Sequence, residues 1–61
     1  MEDRGSVVCS YELVRDGVVV STGRLTLPQV PAVGEHLRLG GTSVEIAAVW
    51  PGVEPRLSLL G

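Results

Sequence analysis

The stretch Pro31-Ala32-Val33-Gly34-Glu35-His36-Leu37-Arg38-Leu39-Gly40-Gly41-Thr42-Ser43-Val44-Glu45-Ile46-Ala47-Ala48-Val49-Trp50 decides the fold. Gly40-Gly41 separates two runs of alternating apolar and polar residues, which is the signature of a tight two-residue hairpin. Closing that turn sets Leu39 opposite Thr42, Arg38 opposite Ser43, Leu37 opposite Val44 and His36 opposite Glu45. Successive strand side chains point to opposite faces, so Leu37, Leu39, Val44, Ile46, Ala48 and Trp50 are expected inside. His36, Arg38, Ser43 and Glu45 take the outer face. Upstream, Pro31 to Glu35 turns the chain into the short strand, with Gly34 supplying a positive φ.

Working outward, residues 6–14 alternate as a half-buried strand. Val7, Cys9, Tyr11 and Leu13 point one way; Ser6, Ser10 and Glu12 point the other. Residues 1–5 read as a frayed tail. Arg15-Asp16-Gly17 then returns the chain into residues 18–27. Two registers are open. A two-residue Asp16-Gly17 turn pairs Leu13 with Val20 and Cys9 with Arg24. A three-residue loop with a bulge at Gly17 pairs Leu13 with Val19, Tyr11 with Ser21, Cys9 with Gly23 and Val7 with Leu25. The second gathers Val7, Cys9, Tyr11, Leu13, Val19, Leu25 and Leu27 on one face, and is the expected one because a one-residue slip moves every side chain. It also brings Gly23 close to Tyr11, whose ring can cover the missing side chain.

Between the hairpins, Pro28 and Pro31 keep residues 27–34 extended and outside any ladder. Val30 and Val33 are expected to plug one end of the fold. After Trp50, Pro51-Gly52 carries a type II turn signature. A last strand, residues 56–60, is expected to place Leu57 and Leu59 inward. No helical period appears anywhere. The fold class is therefore all-β: a single domain over residues 1–61, built as a small five-stranded antiparallel barrel or a tight two-sheet sandwich.

The Pro-x-x-Gly-Glu turn, short strand, glycine turn and longer strand (Pro31 to Trp50) resemble the Src-homology-3-like small barrels in architecture. The signature aromatic residues of their peptide-binding members are absent, so the resemblance implies no proline-rich-ligand activity.

Composition narrows the function. At 61 residues only about 60% of the unfolded surface can be buried, and domains this small lean on disulfides, metals or partner subunits. The single cysteine permits no internal disulfide, and one histidine with one cysteine does not make a zinc site. Close packing or oligomerisation remains. The net charge is −2 and the pI about 5.1, with five arginines and no lysine. That balance, with 3% aromatics, argues against non-specific nucleic-acid binding, which needs a basic footprint. No run approaches a membrane span, the acidic start is not a signal peptide, and a lone free cysteine suits the cytoplasm.

No catalytic, cofactor or metal-ligating set emerges. His36 and Glu45 form an ordinary solvated cross-strand pair. Cys9 serves as a small core hydrophobe. Trp50 is expected in the core, with a binding anchor as the alternative. Two surfaces remain as candidates. Val14, Val18 and Val20 lie on the outer face of the first hairpin as an apolar patch for a protein partner, either a second copy or a larger subunit. Arg24, Arg38 and Arg56 would offer an anion-binding surface. The expected function is a non-enzymatic interaction or assembly module, with an anionic-ligand or nucleic-acid barrel as the alternative.

Overall fold

The computed structural model describes residues 6–61; the tail read at residues 1–5 lies outside them. Among the described residues there is no helix, and five strands form one sheet: β1 Val7–Arg15, β2 Val18–Leu27, β3 His36–Leu39, β4 Thr42–Trp50 and β5 Arg56–Leu60. The strand order is β2-β1-β5-β4-β3, curled strongly into a half-barrel. β1 pairs antiparallel with β2, β3 with β4 and β4 with β5, whereas β1 and β5 run parallel. Parity requires this departure from the all-antiparallel expectation: five strands alternating in direction leave the first and last pointing the same way. The chain follows a meander that meets itself at β1 and β5 and stays open between β2 and β3. β2 and β3 do not touch.

The Gly40-Gly41 hairpin has the expected register at all four positions, His36–Glu45, Leu37–Val44, Arg38–Ser43 and Leu39–Thr42. Both turn glycines have positive φ, 60° and 86°, as a type I′ turn requires. Gly34 likewise sits at φ 95°. It occupies the third position of a turn in which the Glu35 N–H donates to the Ala32 carbonyl at 3.1 Å, while the Ala32 N–H donates to Glu35 Oε1 at 3.0 Å.

The first hairpin follows neither expected register in full. Asp16 and Gly17 have φ 55° and 76°, so the turn has two residues, with Arg15 opposite Val18 and Val14 opposite Val19. A bulge then inserts Val20, and beyond it Leu13 faces Ser21, Tyr11 faces Gly23, Cys9 faces Leu25 and Val7 faces Leu27. The extra residue keeps Leu25 and Leu27 inside while the favoured turn is retained. Val19, expected inside, is instead exposed opposite Val14.

A second bulge, at Ala47, shifts β4 between Ile46 and Ala48. It exchanges the faces beyond it: Val49 packs on the core and Trp50 stands outside, half exposed. The inward placement of Ala48 and Trp50 is thus overturned by one inserted residue. Residues 51–55 form a longer connection than a type II turn, and Gly52 lacks the positive φ that turn demands. Val30 and Val33 do not plug the fold. Both are exposed, and Pro31 between them is the buried residue.

The core consists of Cys9, Val44, Ile46, Leu57 and Leu59, each at most 1% exposed. Val7, Tyr11, Leu13, Leu25, Leu27, Leu37, Leu39 and Val49 pack around it, only partly covered. Leu57 and Leu59 are buried as the alternation requires. They sit in the middle strand of the sheet, where neighbours on both sides cover them.

Candidate protein-interaction surface

The two bulges sort the outer face into rows that cross the strands. Nearest the first hairpin turn, Val19, Val14, Leu60, Glu45 and His36 form one row through β2, β1, β5, β4 and β3. Its first three members are apolar, and Val19 and Leu60 are both exposed. Val18, facing Arg15, is 60% exposed, and the bulged Val20 is 52% exposed. Of the residues predicted for a partner, Val18 and Val20 are open to solvent and Val14 is half-buried, but they do not share one face: Val18 pairs with Arg15 and so lies on the opposite face from Val14 and Val19. The structure adds Val19 and Leu60. Alternation alone places Val19 in the core, because the bulge at Val20 leaves no mark in it. The signal for Leu60 is in the alternation: it follows the inward Leu59 and so faces outward.

This cluster lies at one end of β2, and β2 is an edge. Ten residues long, it contacts only β1, so one side of its backbone faces no strand among the described residues. Natural edge strands are usually short or guarded by lysine or proline. β3, the other edge, has four residues. β2 contains neither lysine nor proline; the guards it carries are the bulge at Val20 and the exposed Arg24, which leave the rest of its length open.

The arginines are not gathered into one site. Arg24 and Arg56 flank Ser10 in a single row, with Trp50 next in line on β4. Arg38 lies opposite Ser43, near the other end of β4. Each of the two row members is already held by a carboxylate. Arg24 Nε donates to Glu54 Oε2 at 2.7 Å, and Arg56 Nη2 donates to Glu12 Oε1 at 2.8 Å. The Arg56 guanidinium also lies 5.6 Å from the centre of the Trp50 ring, within cation–π range. A shallow cleft of about 380 Å³ runs beside them, lined by Ser10, Glu12, Thr22, Gly23 and both arginines.

Two further groups complete the chemistry. His36 and Glu45 face each other as expected, and no ion pair joins them. Cys9 is a free, buried thiol. Burial pushes its pKa up, and the Glu54 carboxylate adds to the shift, so the reactive thiolate is disfavoured. Among the described residues no group of His, Cys, Asp and Glu side chains is placed to hold a metal ion. Among them, too, no helix is long and apolar enough to cross a membrane. No family model, no curated protein and no solved structure matches the chain.

Proposed function

We propose that this chain is a non-enzymatic assembly module that accepts a protein strand along β2, either from another copy or from a larger protein to which it is an accessory subunit. The observation that carries this reading is the open β2 edge, ten residues long, with the exposed Val18, Val19 and Val20 at its start. An added strand gains affinity from main-chain hydrogen bonds, and neighbouring apolar side chains supply the contact area. The lone buried thiol suits the reducing cytoplasm. A barrel binding an anion through Arg24, Arg38 and Arg56 is less well supported. Two of the three guanidiniums are engaged by carboxylates, and the third lies apart from them.

The test combines sedimentation over a concentration series with hydrogen exchange. Association should protect alternate amides of β2, and Val18→Asp should weaken it while leaving the circular dichroism spectrum unchanged. An associated state in which β2 amides exchange as fast as in the monomer would refute the reading.

A further inference from the structure

Resting on the reading of β2 as an assembly edge, we infer that its partner is β3 of a second copy, so that two chains close one ten-stranded barrel through two identical seams. Among the described residues the sheet has two free edges, not one. They run in opposite directions, because β2 is antiparallel to β1 while β3, reached through β4 and the parallel β1–β5 pair, runs along β1. A second copy related by a twofold axis along the curl of the sheet therefore presents β3 antiparallel to β2, and β2 antiparallel to β3. A foreign strand on β2 would leave the β3 margin open; a second copy engages both margins, its four-residue β3 pairing with the Leu25–Leu27 end of β2 and leaving Val18 to Val20 beyond the seam.

The side chains at the two margins match. On the inner face, β2 carries Leu25 and Leu27 and β3 carries Leu37 and Leu39, and all four are only partly buried. One register sets Leu27 opposite Leu37 and Leu25 opposite Leu39 of the second copy, with Thr26 opposite Arg38 on the outer face. A slip of one residue turns the leucines outward. A slip of two in one direction sets Arg24 against Arg38, and like charges directly opposite are destabilising. A slip of two in the other direction sets Pro28 against Arg38, and proline has no N–H for the ladder.

The chain does not make this seam with itself. The connection between β2 and β3 is fastened to β4: the Gly34 N–H donates to the Ile46 carbonyl at 2.9 Å, and the Ile46 N–H donates to the Glu35 carbonyl at 2.8 Å. Pro31 is buried behind it. The approach to β3 is thereby fixed on the β4 side. Ten strands enclose more space than side chains fill in a round barrel. The pair is accordingly flattened, with the two inner faces packed together as in a sandwich.

The experiment uses the full chain with Cys9→Ala, Thr26→Cys and Arg38→Cys. Directly opposed antiparallel residues have Cα atoms about 4.5–5.5 Å apart, within disulfide range. Mild oxidation should give a covalent dimer at twice the 6.4 kDa chain mass. Mixing the Thr26→Cys chain with the Arg38→Cys chain should cross-link the two, while Thr26→Cys alone should not cross-link. In the unaltered chain, association should protect amides within residues 25–27 and residues 36–39 from hydrogen exchange, a readout that survives any folding defect of the variants. A dimer that protects β2 alone, or cross-links through Thr26→Cys alone, overturns this inference and leaves the assembly reading standing. A chain that stays monomeric at submillimolar concentration also overturns it, and leaves only the larger-subunit form of that reading.

Discussion

Replacing Gly23 with alanine should destabilise the fold, even though alanine is ordinarily the better strand residue. Gly23 does not take a positive φ, so no backbone rule requires glycine there. The obstacle is Tyr11 directly across the ladder. A methyl group built on Gly23 would lie 2.9 Å from the Tyr11 hydroxyl and 3.0 Å from Cε2 and Cζ. Ordinary contact begins at about 3.4 Å, so the ring must move by several tenths of an ångström or leave its rotamer. An off-rotamer χ angle costs about 0.5–1.5 kcal/mol. Re-exposing about 40 Å² of a ring packed on the core costs about 1 kcal/mol more. Against this, removing glycine from a strand recovers roughly 0.5–1 kcal/mol of chain entropy. The net loss is about 1 kcal/mol, which lowers the melting temperature by about 4–8 °C in a domain of this size. The decisive assay is a double-mutant cycle with Tyr11→Leu, followed by urea and thermal unfolding. In the Tyr11→Leu background Gly23→Ala should become neutral or stabilising, with a coupling energy of about 1–2 kcal/mol. Equal effects of Gly23→Ala in both backgrounds would refute the claim that the tyrosine ring occupies the glycine's place.

Three further expectations follow from the packing and the charges. Leu59→Ala should cost about 2–5 kcal/mol. For 61 residues the whole stability is on the order of 3–9 kcal/mol, so this variant should lose about half of it and its urea midpoint should fall accordingly. Arg56→Ala removes the Glu12 ion pair and the Trp50 contact, but at 61% exposure the joint loss should be no more than about 1 kcal/mol, with a measurable shift in Trp50 emission. The Cys9 thiol has a raised pKa in the fold, so the unfolded chain loses that proton first. Its contribution to stability is fully present below the unfolded thiol's pKa, about 8.5, and is lost as pH rises through the folded value. Urea midpoints should fall from about pH 8.5 upward, and Cys9→Ala should flatten that slope.

Sequence pattern located every strand, and the Gly40-Gly41 hairpin was legible to the residue because alternation and turn chemistry impose the same register there. What it could not show was the two bulges. Each insertion falls within or at the end of a run of equal residues: Val18, Val19 and Val20 are identical, and Ala47 and Ala48 are identical. A run of equal side chains hides which member is skipped. Yet the two insertions decide that Trp50 and Val19 face outward, and so determine the composition of the candidate surface. The loop valines failed for a different reason. Val30 and Val33 are more apolar than Pro31, but the buried place went to the residue that needs no hydrogen-bond partner for its backbone nitrogen.

The opening between β2 and β3 follows from the same parity that makes β1 and β5 parallel. An alternating five-stranded chain has five neighbouring pairs to close, and four are made here. Three of these join strands consecutive in sequence; the fourth joins the chain's first strand to its last. The pair left unmade is the one whose connection contains two prolines and is bonded to β4. The molecule thus completes the centre of its sheet, where Leu57 and Leu59 are covered from both sides, and leaves its margins half finished. Half-buried leucines on both margins represent free energy that a single chain does not recover. Any partner that pairs with the edges recovers it together with the unmade ladder. Assembly is therefore expected to stabilise β2 and β3 more than the centre, and hydrogen exchange resolved by residue would read that gradient directly.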